Sequence, residues 1–194
     1  MTTVVLFHHA LGVTPSLHGI AAELRRAGHT VYLPDLFAGR VFDTIPRGVA
    51  HAQEIGFPEL LRRGRDAAEE LPARVVYAGV SLGAVPAQAL AQTRPGALGA
   101  FLVSAALPFR EYGEWPAGVP VEVHAAEHDE FFVEDRTCAE ELVAHAERAS
   151  LVLYTGSGHL FAEEGHRDYD AENARLLMER FAAFLDAVDA TARR

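Results

Sequence analysis

The residues best placed to do chemistry lie in "VVYAGVSLGAVPAQALA", residues 75–91, where Ser81 stands between Gly79 and Gly83. The G-x-S-x-G spacing is that of a nucleophile elbow, a sharp strand-to-helix turn that pushes one hydroxyl into the open. Such a serine has a strained backbone, and the residues two before and two after it must lack side chains. A helix starting just beyond it brings backbone N–H groups and a positive dipole end to a developing oxyanion. Five residues of pattern are only moderately specific, and a plain turn accounts for the same glycines. Context separates the two readings: a valine-rich run precedes Ser81 and an alanine-rich run follows it. Pro86 is discordant. Inside a helix it removes a backbone bond, so the helix is expected to start late or to bend.

A serine hydroxyl is a poor nucleophile at neutral pH and needs a base. The chain has ten histidines, so position must select among them. "TGSGHLFAEEG" puts His159 in a glycine-flanked loop after the sixth apolar run, and "HAAEHDEFF" puts Asp129 in the loop after the fifth. In the order Ser81, Asp129, His159, acid and base each leave the carboxyl end of a strand, at the same sheet edge as the serine. Glu127 and Glu130 flank Asp129 and are alternative acids, with loop position favouring Asp129. His8, His9, His124, His128 and His159 all fall near strand ends, which raises a metal site as a rival. Their spacing matches no compact zinc motif, and we expect no metal.

These side chains need a frame. Six short apolar runs read as buried parallel strands: "TVVLFH" (3–8), "TVYLP" (30–34), "RVVYAG" (74–79), "GAFLVSA" (99–105), "VEVHAA" (121–126) and "SLVLYT" (150–155). Helical segments separate most of them. The first starts at Thr14 and Pro15, carries a stripe of Leu17, Ile20, Ala21 and Leu24, and stops at Gly28. Another helix is expected at about 51–71. The last begins near Asp170, with Leu177, Phe181, Phe184, Leu185 and Val188 on one side. Alternating strands and helices predict one doubly wound α/β domain over residues 1–194, with no large cap domain. Two connections exceed mere links: residues 35–50, and residues 106–118 with Phe109, Tyr112 and Trp115. They are either solvated crossovers or walls of the site.

Composition narrows the partners. With 17 basic and 27 acidic residues the net charge is −10 and no basic cluster interrupts it, which argues against nucleic-acid binding. A lone Cys138 excludes an internal disulfide. The chain enters "TVVLFHH" without a basic flank or cleavage pattern, and nothing approaches the length of a membrane span, so the expectation is a soluble, cytoplasmic protein, monomer or homodimer.

Taken together, "FHHALGV", "LPDLF", "GVSLGA", "HDEFFV" and "GSGHLF" resemble the dienelactone hydrolase family of α/β-hydrolases over nearly the whole chain. The resemblance implies a sheet of six to eight strands and hydrolysis of ester-type bonds in small molecules, without metal or organic cofactor. It implies a nucleophile at Ser81, an acid at Asp129, a base at His159 and an oxyanion hole from the N–H groups of Leu82 and Ala10. Three positions depart from the family pattern: serine replaces the usual cysteine, His9 stands where a glutamate interacts with the nucleophile, and Glu163 stands near where an arginine holds a substrate carboxylate. A pocket is expected from His9, Leu11, Phe109, Tyr112, Phe132 and Phe161, with Phe131 nearby and Arg40, Arg47 and Arg110 as the cations within reach. The expected substrate is therefore a small ester or lactone. A thioester on the same site, or a binding protein that has kept the fold, are the alternatives.

Overall fold

Valine and small apolar residues fill the strands because both faces of the sheet are covered. The computed structural model describes residues 1–192. Six parallel strands run in the order β2-β1-β3-β4-β5-β6: β1 Thr3–Phe7, β2 Thr30–Tyr32, β3 Val76–Val80, β4 Gly99–Val103, β5 Val121–Ala126 and β6 Ala149–Tyr154. Every residue of the central β3 and β4 is buried, which is why neither shows alternation in sequence. The period of two survives in the packing. Val5, Phe7 and Tyr77 join one core with Leu60, Leu90 and Leu142, while Val4, Leu6 and Ala78 join the other with Leu17, Phe181 and Leu185. α1 (Pro15–Arg26) and α6 (Ala171–Ala192) cover the second face. α2 (Ile45–Ile55), α3 (Phe57–Glu69), α4 (Ala84–Thr93) and α5 (Phe132–His145) cover the first. No inserted cap domain occurs among the described residues.

Two local expectations need correction. The helix expected at about 51–71 is two helices, split at Gly56, whose φ of +87° suits glycine alone. Pro46 and Pro58 then sit in the first turns of α2 and α3, where a missing N–H costs nothing. The helix after Ser81 starts late as expected, and Pro86 is accommodated in the same way. It is the third residue of α4, which follows a 3₁₀ turn at Ser81–Gly83, so it falls among the N–H groups that lack an intrahelical partner.

The second correction concerns residues 106–118. Parallel β4 and β5 need a crossover, and this irregular segment provides it in place of a helix. Gln88 and Gln92, one turn apart on α4, fasten it. Gln88 donates to the Leu107 carbonyl at 3.0 Å and accepts from its N–H at 2.9 Å. Gln92 donates to the carbonyls of Phe109 and Gly113 at 2.7 and 2.8 Å. The Trp115 indole closes the segment on the Val119 carbonyl at 2.8 Å. The segment therefore runs along α4 and away from the carboxyl ends of the strands.

The turn after β3 has no spare room. A Cβ at Gly83 would lie 2.3 Å from the Phe7 carbonyl oxygen and 2.8 Å from that of His8. Gly83→Ala is therefore expected to cost about 1–3 kcal/mol, as overpacked sites do. Gly19, exposed in mid-helix with nothing near its Cβ direction, is expected to gain roughly 0.5–1 kcal/mol as Gly19→Ala. Urea unfolding of both variants checks the contrast. Equal stabilities would refute the close approach at Gly83.

Candidate active site

Among the described residues, Ser81 is one of three non-glycine residues with positive φ, at +50°. The left-handed region is costly for a residue with a Cβ and persists only where the surroundings impose it. Here they do. A Cβ at Gly79 would lie 2.0 Å from the Gly83 carbonyl oxygen, so the turn folds onto its own strand, and Gly83 packs on the end of β1. The glycines at either side of the serine are thus required by backbone contacts, and the hydroxyl is left at the carboxyl edge of β3.

His159 and Asp129 meet it there. The Ser81 Oγ lies 2.7 Å from His159 Nε2, and His159 Nδ1 lies 2.7 Å from Asp129 Oδ2. A buried carboxylate accepts only, so Nδ1–H donates to Asp129 and Nε2 is free to accept from the serine hydroxyl. Asp129 is 1% exposed, and its Oδ1 takes the Phe131 N–H at 3.0 Å at the start of α5. Glu127 turns instead to His128 at 3.4 Å, and Glu130 is exposed. Asp135, in the first turn of α5, has its carboxyl pushed up by burial, partly offset by the Ala106 N–H at 3.4 Å.

The loop bearing His159 is held from behind. Ser104 at the end of β4 has φ of +59°, is buried, and donates its hydroxyl to the His159 carbonyl at 2.7 Å. Sequence reasoning passed over Ser104, because nothing in "LVSAA" signals a positive φ. The Phe131 ring packs 4.7 Å from the His159 ring and is 56% exposed, so it forms an open wall.

The strand-end loop after β1 is equally constrained. The His8 ring donates from Nδ1 to the His9 carbonyl at 2.7 Å and accepts at Nε2 from the Leu36 N–H at 3.0 Å. Burial pushes the His8 pKa down to about 4, so this ring is a neutral brace. His9 is buried against Glu163, with Nε2 2.9 Å from Oε2. Burial alone would raise the Glu163 pKa, but hydrogen bonds from His9, Thr14 and Ser16 outweigh it and hold the carboxyl below its ordinary range. The two departures from the family pattern are thus partners.

Of the expected pocket residues, His9 and Phe161 line a small hollow with Val80, Val103, His159 and Glu163, and Ser81 is not among its walls. Leu11 lies buried in the core, its carbonyl bound by the Phe42 N–H at 2.9 Å. Phe109 and Phe132 need correction. Phe109 is 1% exposed and faces His145, at the far end of α5, because the crossover carries it there. Tyr112 travels on the same segment and is half-buried beside Glu111. Phe132 is 2% exposed because the first turn of α5 points it into the core, leaving Phe131 on the outside. Arg110 sits over Phe109 and beside Glu114, and Arg47 pairs with Asp43 at 2.7 Å. A larger groove, about 580 Å³ between α1 and α6, excludes Ser81, Asp129 and His159. No group of three or more histidine, cysteine or acidic side chains placed to hold a metal occurs among the described residues.

An all-parallel sheet with a serine at the β3 turn and acid and base after β5 and β6 is the frame of an α/β hydrolase. The chain belongs to the dienelactone hydrolase family, whose model matches residues 1–188. Among solved structures it is similar to a dienelactone hydrolase-like promiscuous phosphotriesterase from metagenomic libraries, at TM-score 0.76 and 16% identity, covering 97% of this chain and 87% of that one. It is also similar to the butyrate-bound esterase 2 of Thermogutta terrifontis, at TM-score 0.60 and 19% identity over 96% and 83%. The thioesterase domain of the curacin biosynthetic pathway matches at TM-score 0.62 and 16% identity over 91% and 89%. No curated protein sequence matches significantly.

Removing the Ser104 hydroxyl leaves the buried His159 carbonyl without its partner, so Ser104→Ala is expected to cost about 1–3 kcal/mol. Chemical denaturation measures it, and a loss below about 0.5 kcal/mol would mean the bond does not hold the loop.

Proposed function

We propose that this chain is a serine hydrolase that cleaves ester or lactone bonds in small molecules through an acyl-enzyme. The hydrogen-bonded chain from Asp129 through His159 to Ser81, 2.7 Å at each step, carries the reading. His159 takes the Ser81 proton as Oγ attacks the carbonyl carbon, and Asp129 keeps the imidazole in the tautomer that can accept it. The tetrahedral oxyanion is held by the N–H groups of Leu82 and Ala10. His159 then gives its proton to the leaving alkoxide, leaving an ester on Ser81. Water, deprotonated by His159, attacks that ester and releases the acid. The strained elbow supports the role of Ser81, because such strain is retained where geometry serves chemistry. A thioester would follow the same route with a thiolate leaving, and the thioesterase neighbour keeps that substrate class in the test.

The surroundings favour an uncharged substrate. Arg47 and Arg110 are engaged with acidic partners, Glu163 is held in its charged form, and the whole chain is at −10.

Ser81→Ala is expected to lower turnover of a short-chain p-nitrophenyl ester on the order of 10⁴-fold or more without unfolding the protein. Asp129→Asn should lower it roughly 10²–10⁴-fold, because the imidazole loses its orienting acceptor. Full activity in Ser81→Ala, or in Asp129→Asn with Glu127→Gln inactive, would overturn the assignment.

A matched pair of esters, one neutral and one bearing a carboxylate, should differ about tenfold in kcat/KM in favour of the neutral one, which is about 1.4 kcal/mol of transition-state energy. The comparison is made over a panel that includes lactones and thioesters. A preference for the anion would show that an arginine such as Arg40 reaches the site.

A further inference from the structure

The His9–Glu163 pair has no step in acyl transfer, yet both groups are buried, His9 at 1% and Glu163 at 6% exposure. Burying a carboxylate is costly unless it is fully hydrogen-bonded, so its retention needs a reason. Glu163 collects His9 from one side and the hydroxyls of Thr14 and Ser16, at the start of α1, from the other. The positive end of that helix suits a carboxylate, and α1 has no acid of its own in its first turn.

What the pair holds is the loop after β1. With its Nε2–H donated to Glu163, the neutral His9 ring has Nδ1 left to accept, and it takes the Leu11 N–H at 3.2 Å. The Gly12 N–H closes the same turn on the His9 carbonyl at 3.0 Å. Outside the turn, the Phe42 N–H binds the Leu11 carbonyl at 2.9 Å. Gly48 abuts the Ala10 carbonyl, so closely that a Cβ there would lie 1.7 Å from it. The N–H groups of Leu11 and Gly12 are thus taken up by the turn, and none of the turn's bonds uses that of Ala10.

We propose that His9 and Glu163 are positioning residues for the oxyanion hole: Glu163 fixes the His9 ring, the ring fixes the Leu11 N–H, and the turn thereby presents the Ala10 N–H to the oxyanion. This rests on the reading of Ser81 as nucleophile. Glu163 stands four residues beyond His159 in the same loop, so one carboxylate ties the base's loop to the oxyanion turn. The ring is no proton carrier in this scheme, because both its nitrogens are engaged and it is nearly closed to solvent.

The test measures kcat and KM for a neutral p-nitrophenyl ester, and the rate at which a fluorophosphonate labels Ser81, in the wild type and in three variants. The double variant His9→Leu with Glu163→Leu removes both polar groups, so no buried charge is stranded. It is expected to fold, to lose roughly 10–100-fold in kcat, part of what a missing oxyanion donor costs, and to be labelled correspondingly slowly. KM should stay within about twofold, since the donor acts on the transition state and not on bound substrate. His9→Asn should recover kcat to within about fivefold, because the Asn side-chain oxygen can accept from the Leu11 N–H in an Asx turn. His9→Gln, one methylene longer, should not.

A double variant with wild-type kcat overturns the proposal, as does a loss that falls wholly in KM. If the double variant fails to fold, His9→Asn and His9→Gln decide, and equal kcat in the two overturns it. A wild type that is neither labelled nor active overturns the hydrolase reading and this one with it. A labelled, active wild type beside an unimpaired double variant overturns this one alone.

Discussion

The site depends on one steric constraint, the contact between the turn after β3 and the end of β1. Gly83 lies against the carbonyls of Phe7 and His8, and Gly79 lies against Gly83. No side chain fits at either place, so the turn can close only with Ser81 in the left-handed region at φ +50°. The cost of that conformation is set against the burial of two central strands that have no exposed residue between them. Because the contact joins β3 to β1, it brings the serine to the place where the sheet order reverses, between β1 and β3. There, loops from both strands open into one crevice.

Around this fixed point the remaining loops are tied by hydrogen bonds, most of them buried. Ser104, itself strained at φ +59°, holds the His159 loop by its carbonyl. The Phe131 N–H orients Asp129. The His8 ring ties the β1 loop to Leu36, and burial keeps that ring neutral. Each bond has an apolar surround in which a lost partner would leave an unsatisfied group, so each is worth more to geometry than its count suggests. Among the described residues no buried side-chain nitrogen or oxygen lacks a partner. Loops built in this way hold position without a cap domain above them.

Much of this was legible in the sequence, for a physical reason. Strand burial, helix starts at proline and the glycine spacing are local effects, and each writes a local signature: Thr14 and Pro15 open α1, where the Thr14 hydroxyl takes the Leu17 N–H at 3.2 Å. The placing of Ser81, Asp129 and His159 at one sheet edge followed from each lying in a loop after the carboxyl end of a parallel strand. What stayed hidden was direction. Phe131 and Phe132 are adjacent and chemically identical, and only the phase of α5 sends one to solvent and the other to the core. Phe109 reads as a site aromatic until two glutamines on α4 are seen to hold its loop elsewhere. The positive φ of Ser104 has no sequence mark, since serine gives no hint of it.

His9 and Glu163 show the same limit in electrostatic form. Read singly, each is a departure from the family pattern, a histidine in place of an acid and an acid near the place of a cation. Read together, 2.9 Å apart and buried, they are a hydrogen-bonded donor and acceptor. The loop after β1 and the loop after His159 are therefore tied directly to each other. The Glu163 carboxylate is turned to donors of the protein itself, and Arg47 and Arg110 are engaged with Asp43 and Glu114. On the proposed reading as a hydrolase, the pair serves the geometry of attack, and shape and apolar contact are left to select the substrate.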